Sequence, residues 1–135
     1  FKVVIVDDEA WTAQALGTLL DWEAEGFRVA GIYTDPLELL TGIASIEPDL
    51  ILLDIRMPRL GGCDAARGIR RRTDEKARTP LVAFSADTLD VWQKNAEAAG
   101  FDAVLEKPFT ADDLTAALKA ALKASPKEAS SSKQC

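Results

Sequence analysis

The sequence contains no histidine, and this absence excludes the catalytic mechanisms that depend on an imidazole base. Ser-His and Cys-His nucleophiles are excluded, so any chemistry would have to come from carboxylates, hydroxyls, lysine or a metal ion. Cysteine is almost as scarce. Cys63 and Cys135 form neither a disulfide framework nor the ligand spacing of a zinc site, so we expect free thiols and no zinc.

Long apolar runs and a basic charge excess are also missing. The longest apolar runs are far short of the roughly 18 residues that a membrane helix needs, and no basic-then-apolar signal peptide opens the chain. We therefore expect a cytoplasmic protein without membrane contact. The formal charge of −6 argues against direct nucleic-acid binding.

The composition that remains is typical of one globular domain, with 47% hydrophobic and 28% charged residues over 135 positions. The polar stretch 125–135 predicts a flexible C-terminal linker or tail, so the expected domain spans residues 1–124. The chain begins at Phe1 without a methionine, which together with this tail indicates a segment of a longer protein.

Five apolar segments predict β-strands, at residues 2–7, 27–33, 49–54, 81–84 and 103–105. Between and after them, apolar residues at helical spacing predict five helices, at about 10–26, 36–47, 65–69, 89–100 and 110–122. This alternation predicts an α/β fold built on a single doubly wound, five-stranded parallel sheet.

Two more detailed predictions concern the helices. The buried side of the second helix is expected to consist of Leu37, Leu40, Ile43 and Ala44. The basic triplet at 70–72 could mark a partner surface, but a solvated helix end beside its own dipole is the favoured interpretation.

Polar residues follow four of the predicted strands: Asp7 and Asp8 after the first, Asp54 after the third, Ser85 after the fourth and Lys107 after the fifth. The carboxyl ends of parallel strands meet at one edge of a sheet, where ligands bind. Two carboxylates about 4 Å apart repel by roughly 4 kcal/mol at an effective dielectric constant of 20, so we expect a cation. Oxygen-only ligands favour Mg²⁺, and such a site attracts a phosphorylated substrate.

Each of these residues also has a simpler interpretation. Asp7 could cap the first helix, Ser85 could cap the fourth helix, and Lys107 could be a surface residue before a turn. Asp54 could merely end a strand, although its agreement with the other residues makes it the strongest functional candidate.

Taken together, these motifs resemble the receiver domain of two-component response regulators, over about residues 2–124. The matching motifs are Asp7-Asp8, Asp54 with Met57-Pro58 and Gly62 after it, Ser85-Ala86, and Lys107-Pro108-Phe109. The resemblance implies a flavodoxin-like receiver fold, in which the peptide bond between Lys107 and Pro108 is cis.

The resemblance also implies how this site would bind a metal ion and a phosphoryl group. Asp54 would accept the phosphoryl group from a phosphohistidine on a histidine kinase or histidine phosphotransfer protein. Mg²⁺ would be held by Asp8, Asp54 and the backbone carbonyl of Arg56, with Asp7 acting through a bound water. Lys107 would pair with phosphoryl oxygens, and Ser85 would donate a hydrogen bond to one of them.

Two departures from the family pattern concern regulation. Val104 stands where the family usually carries Tyr or Phe, so the usual aromatic switch is in doubt. Arg56 and Asp87 flank the expected phosphoryl entrance, and we hypothesise that their opposite charges pair there and slow hydrolysis of the acyl phosphate.

The resemblance therefore implies a signalling domain that catalyses only its own phosphorylation and dephosphorylation and switches an attached output domain or a partner protein. A homodimer is possible. One alternative is a receiver-like interaction module that is never phosphorylated. Another is a haloacid-dehalogenase-like phosphatase, but that class has an acidic residue two positions after its nucleophile, where this chain has Arg56.

Overall fold

A five-stranded parallel sheet forms the centre of the computed structural model, which describes residues 1–19, 21–55, 62–85, 98–106 and 109–124. The strands are β1 (Lys2–Val6), β2 (Arg28–Tyr33), β3 (Leu50–Asp54), β4 (Leu81–Ser85) and β5 (Ala103–Glu106). Their order across the sheet is β2-β1-β3-β4-β5, and all neighbouring strands are parallel. Strands β2 and β5 are therefore the two edges.

Four α-helices and one short 3₁₀-helix lie within the described residues. They are α1 (Ala10–Leu19), α2 (Pro36–Ile46), α3 (Gly62–Arg70), α4 (Ala111–Ala124) and the 3₁₀-helix Glu75–Arg78. The predicted α/β fold with a five-stranded parallel sheet is confirmed. Most of the helix predicted at 89–100 falls outside the described residues; its described end is helical at 98–99, and Gly100 has a φ of 103°.

The apolar core forms two clusters on opposite faces of the sheet. Along β1, Val4 and Val6 belong to one cluster and Val3 and Ile5 to the other, and all four are fully buried. Helices α2 and α3 cover the first cluster, while α1 and α4 cover the second. Because both faces are covered, the central strands are continuous apolar runs, as the sequence predicts.

Side-chain caps stabilise the starts of α2 and α4. The Asp35 carboxylate accepts a hydrogen bond of 2.9 Å from the Leu37 N–H, and Pro36 occupies the first turn of α2. At α4, the Thr110 N–H donates to Asp113 Oδ2 at 3.0 Å, and the Asp113 N–H donates to Thr110 Oγ1 at 3.1 Å. This reciprocal pair is a capping box.

The buried side of α2 differs in part from the prediction. Leu37 is 49% exposed, so its predicted place in the core is wrong, whereas Leu39 is fully buried. Ile43 is buried and Leu40 partly buried, as predicted. The helix buries the stripe through Leu39 and Ile43, four residues apart, and Leu37 lies off this stripe because it is two residues before Leu39.

Helix α1 is shorter than predicted. Its last described residue is Leu19, and the turn at 22–26 replaces the helical continuation toward Gly26. Asp21 Oδ1 accepts a hydrogen bond of 3.2 Å from the Ala24 N–H, so a side chain competes with helical bonding here. Gly26 has a φ of 87°, a left-handed conformation that glycine adopts without strain.

The prediction of a solvated helix end at the basic triplet is wrong for Arg70. Its guanidinium donates to the backbone carbonyls of Ala77, Thr79 and Gly100 at 2.6–3.1 Å and to the Asp102 carboxylate at 3.0 Å. The end of α3 faces the segments that lead into β4 and β5, whose carbonyls need donors. Arg70 therefore links three parts of the chain.

None of the helices in the described part of the chain has the length and apolar character needed to cross a membrane. The cytoplasmic location stays a prediction. The side chains of Cys63 and Cys135 lie outside the described residues, so their state as free thiols is also still a prediction, as are the domain limits 1–124 and the tail 125–135.

Candidate functional site

Three carboxylates meet at the carboxyl edge of the sheet. Strands β1 and β3 are neighbours, with Val6 beside Leu53, so the next residues along them are Asp7 and Asp54. Asp8 follows at the start of the connection to α1. One carboxylate oxygen from each of Asp7, Asp8 and Asp54 lies within 4.8 Å of the other two. The structure thus brings together the three acids that the sequence singled out.

The burial of this acidic cluster makes its charge costly. Asp7 is fully buried and Asp54 is 7% exposed, whereas Asp8 is exposed to solvent. Buried carboxylates lose hydration, and their mutual repulsion is stronger in the protein interior than in water. A cation bound among the three carboxylates would offset both costs.

Backbone groups before α1 and at the end of β2 hold Asp7 in place. Asp7 Oδ1 accepts a hydrogen bond of 2.9 Å from the Glu9 N–H, and the Asp7 N–H donates to the Tyr33 carbonyl at 3.0 Å. This Asp7 hydrogen bond closes a turn just before α1, which begins at Ala10, so the carboxylate orders the approach to the helix while one of its oxygens lies in the cluster. Sequence reasoning missed the contribution of Tyr33, since a backbone carbonyl leaves no signal in the sequence.

Ser85 lies beside the acidic cluster at the end of the neighbouring strand. Asp54 pairs with Phe84 across β3 and β4, so Ser85 comes one residue further along the same edge, and it is 1% exposed. A buried hydroxyl at this position can donate a hydrogen bond to an anion bound near Asp54.

Three of the predicted positions lie outside the described residues: Arg56, Asp87 and Lys107. The same holds for Ala86 and Pro108. Strand β5 ends at Glu106, which pairs with Ser85. The backbone carbonyl of Arg56 as a metal ligand, the pairing of Lys107 with phosphoryl oxygens and the cis bond before Pro108 therefore remain predictions.

The donor set of the acidic cluster fits a hard divalent cation. All three groups are carboxylates, which suit Mg²⁺ better than the softer metals that prefer sulfur or imidazole. Oxygens on opposite sides of one Mg²⁺ lie about 4.2 Å apart, since each bond measures about 2.1 Å. The carboxylate oxygens of the cluster lie within 4.8 Å of one another, which is slightly more than this span. An ion can therefore bind here if one carboxylate contacts it through water or if a side chain shifts by a small distance.

Comparison with known proteins matches the chain to one family. The family model for the response regulator receiver domain matches residues 3–119. The DNA-binding response regulator MtrA of Mycolicibacterium paratuberculosis is 32% identical over 122 residues, which cover 90% of this chain and 51% of MtrA. Hybrid signal transduction histidine kinase G of Dictyostelium discoideum is 34% identical over 119 residues, covering 84% of this chain and 3% of the kinase.

A solved structure shares the fold. It is the receiver domain of sensor histidine kinase PA1611 from Pseudomonas aeruginosa, which has a magnesium ion coordinated in its active site cleft. It superposes with a TM-score of 0.76 at 27% identity, covering 90% of this chain and 97% of that domain. This chain spans about half the length of MtrA and a small part of the hybrid kinase. With the five-stranded parallel sheet and the acidic edge already described, these matches show that the chain belongs to the response regulator receiver domain family of two-component signalling.

Proposed function

We propose that Asp54 accepts a phosphoryl group from a phosphohistidine on a partner histidine kinase or histidine phosphotransfer protein. The observation that carries this proposal is the meeting of Asp7, Asp8 and Asp54 at the carboxyl edge of the sheet. A carboxylate oxygen of Asp54 attacks phosphorus, and the bond from phosphorus to the imidazole nitrogen breaks, with its electron pair going to that nitrogen. Because this chain has no histidine, the phosphohistidine belongs to another protein or domain.

The acidic cluster supports a role for Mg²⁺ in this transfer. Asp8, Asp54 and the backbone carbonyl of Arg56 would hold the ion, and Asp7 would contact it through water. The bound ion would neutralise charge on the phosphoryl oxygens, which lets an anionic donor approach an anionic pocket. The magnesium ion in the PA1611 receiver domain supports this assignment.

Ser85 and Lys107 would stabilise the transferred group. The Ser85 hydroxyl would donate a hydrogen bond to a phosphoryl oxygen, and the Lys107 ammonium would pair with another. The position of Ser85, buried one residue beyond the strand partner of Asp54, supports its part of this proposal.

The chain would act as a switch and not as an enzyme with a separate substrate. It would catalyse only the formation and hydrolysis of its own acyl phosphate, and the modified state would change an attached output domain or a partner protein. MtrA is a DNA-binding response regulator, and the matched kinase is a hybrid protein, so receiver domains like this one occur in both settings.

The signal would leave the site without an aromatic switch. Val104 is partly buried in β5 beside Ala83 of β4, and its short branched side chain cannot swing as a tyrosine ring can. We therefore propose that Ser85, at the end of β4 next to the phosphoacceptor position, is the first side chain to move when Asp54 is phosphorylated.

Intact-mass measurement tests the proposal. The protein is incubated with acetyl phosphate in the presence of Mg²⁺ or of EDTA. We expect the wild-type mass to rise by one phosphoryl group only with Mg²⁺, and we expect no rise for Asp54→Asn. Asp64→Asn, which removes an exposed carboxylate from α3, is the matched control and should still be phosphorylated. A wild-type protein that never gains a phosphoryl group from acetyl phosphate or from a phosphohistidine donor would instead be an interaction module.

A further inference from the structure

The ring of Tyr33 occupies space that two glycines leave open. Tyr33 is the last residue of β2, and its partly buried side chain packs against the first core cluster, which α2 and α3 cover. A Cβ atom on Gly31, two residues earlier on the same face of the strand, would lie 3.5 Å from the ring. A Cβ atom on Gly42 of α2 would lie 3.2 Å from the Tyr33 hydroxyl oxygen. The ring therefore lies between the end of β2 and the middle of α2.

The backbone of Tyr33 takes part in the acidic edge of the sheet. Tyr33 pairs with Val6 of β1, and its carbonyl accepts a hydrogen bond of 3.0 Å from the Asp7 N–H. Asp7 is fully buried, and one of its carboxylate oxygens belongs to the acidic cluster. One residue thus contributes a ring to the core and a carbonyl to the backbone of Asp7.

Strand β2 lies at an edge of the sheet, so its backbone pairs with a neighbouring strand on one side only. The register of its pairing with β1 shifts between Val3 and Val4, and Ile32, just before Tyr33, is 39% exposed. Backbone segments with few buried contacts open more readily than the centre of a sheet. The packing of the Tyr33 ring on α2 therefore gives this end of β2 a second anchor besides β1.

We propose that Tyr33 is a positioning residue for the metal site. Its ring fixes the end of β2, and the Tyr33 carbonyl then holds the backbone of Asp7 so that the carboxylate stays in the acidic cluster. The ring acts through the backbone, so the hydroxyl group is not required. This inference rests on the proposed function only in taking Mg²⁺ as the ion of the acidic cluster. Groups that orient metal ligands without touching the metal typically change metal affinity by about 10- to 100-fold when they are altered.

NMR titration of the unphosphorylated protein with Mg²⁺ tests this proposal, because it reports metal affinity and the solvent exchange of individual amides. In Tyr33→Ala we expect the Kd for Mg²⁺ to rise at least about tenfold. The Asp7 amide proton should also exchange with solvent at least about tenfold faster, since its acceptor is no longer fixed. Tyr33→Phe keeps the ring, so its Kd should stay within about twofold of the wild-type value.

Leu40→Ala is the matched control for lost packing. Leu40 is partly buried against the same core cluster, and its methyl groups lie 3.5 Å from the position of a Cβ atom on Gly68 of α3. Its truncation should lower the urea midpoint, as Tyr33→Ala does, because both variants lose packed apolar atoms. The contact with α3 does not position the Tyr33 carbonyl, so we expect the Mg²⁺ Kd of Leu40→Ala to stay within about twofold of the wild-type value.

Gly42→Val disturbs the ring from the side of α2 and leaves the sequence of β2 unchanged. The valine methyl groups extend beyond a Cβ atom that already lies 3.2 Å from the hydroxyl oxygen, so the ring has to move. We expect the Mg²⁺ Kd to rise at least about threefold. In the double variant Tyr33→Ala/Gly42→Val the ring is absent, and the Kd should stay within about twofold of the Tyr33→Ala value.

A Tyr33→Ala protein that binds Mg²⁺ like the wild type overturns the proposal. So does a Leu40→Ala protein that loses as much affinity, an additive loss in the double variant, or a wild type that binds no Mg²⁺. Circular dichroism shows whether each variant is folded, and Gly42→Val alone decides the test if Tyr33→Ala is not. These measurements need no phosphodonor, so a failure to phosphorylate Asp54 would leave their result unaffected. Conversely, unchanged Mg²⁺ binding in Tyr33→Ala would leave the phosphoacceptor assignment intact.

Discussion

The guanidinium of Arg70 and the carboxylate of Asp102 form an ion pair of 3.0 Å in which both side chains are largely removed from solvent, at 21% and 12% exposure. Asp102 also accepts a hydrogen bond of 2.9 Å from the Leu81 N–H, at the start of β4. The pair therefore joins the end of α3 to the beginnings of β4 and β5. It lies at the amino ends of the strands, whereas the acidic cluster lies at their carboxyl ends. Its role is structural.

Arg70→Ala should destabilise the protein by about 3 kcal/mol, because it leaves a mostly buried carboxylate and three backbone carbonyls without their donor. Urea denaturation measures the free energy of unfolding. Arg67→Ala is the matched control on the same helix, because Arg67 forms an exposed ion pair with Asp64. Loss of this exposed pair should lower the free energy of unfolding by at most about 0.5 kcal/mol. Equal losses in the two variants would contradict the structural role of Arg70.

The same pair predicts a pH dependence. Burial raises the pKa of Asp102 above its ordinary value, against the opposing effects of the Leu81 N–H and of Arg70. A group whose pKa is higher in the folded than in the unfolded protein contributes stability that is fully present below the unfolded pKa and is lost as the pH rises through the folded pKa.

We therefore compare urea unfolding of the wild type and Asp102→Asn between about pH 3 and pH 7. The stability of the wild type relative to the variant should be greater at the acid end of this range. A relative stability that falls on acidification would show that the ion pair outweighs burial, contrary to this prediction.

Trp11 should report metal binding to the acidic cluster. Its indole is 71% exposed on the first turn of α1, three residues after Asp8. Added Mg²⁺ should change the tryptophan fluorescence of the wild type, because a divalent charge then lies near the ring. The change should be absent in Asp8→Ala, which lacks a ligand, and in Trp11→Phe, which lacks the reporter. A response that persists in Asp8→Ala would place the ion elsewhere.

Arg56 should prolong the lifetime of the phosphorylated state if it pairs with Asp87 across the phosphoryl entrance. Arg56→Ala should then shorten that lifetime, measured as loss of the phosphorylated mass over time after the phosphodonor is removed. Asp87→Ala should have a similar effect, and the double variant should add little to either single change, since both act through one pair. An unchanged lifetime in Arg56→Ala would rule this pairing out.

The fold could be predicted from the sequence because its signals are local and agree with one another. The buried runs at Val3–Val6 and Leu50–Leu53 are short and bounded by polar residues, which favours strands covered on both faces. The capping box joins Thr110 to Asp113, which are only three residues apart. The convergence of Asp7 and Asp54 also follows from local signals, because strand ends in a parallel sheet share one edge.

The predictions that failed depended on tertiary contacts. Leu37 and Leu39 both fit a helical apolar stripe, and only the position of α2 on the sheet decides that Leu39 is buried. Arg70 looks like any basic residue at a helix end, but carbonyls 7, 9 and 30 residues away converge on its guanidinium. No sequence window contains these partners together.

Peptide mapping of the phosphorylated protein tests the central claim most directly. After reaction with acetyl phosphate and Mg²⁺, borohydride converts a phosphorylated aspartate into homoserine, which tandem mass spectrometry locates in the sequence. The account predicts this conversion at Asp54 and at no other carboxylate. Conversion at another aspartate, or at none while the wild-type protein binds Mg²⁺ at the acidic cluster, would contradict it.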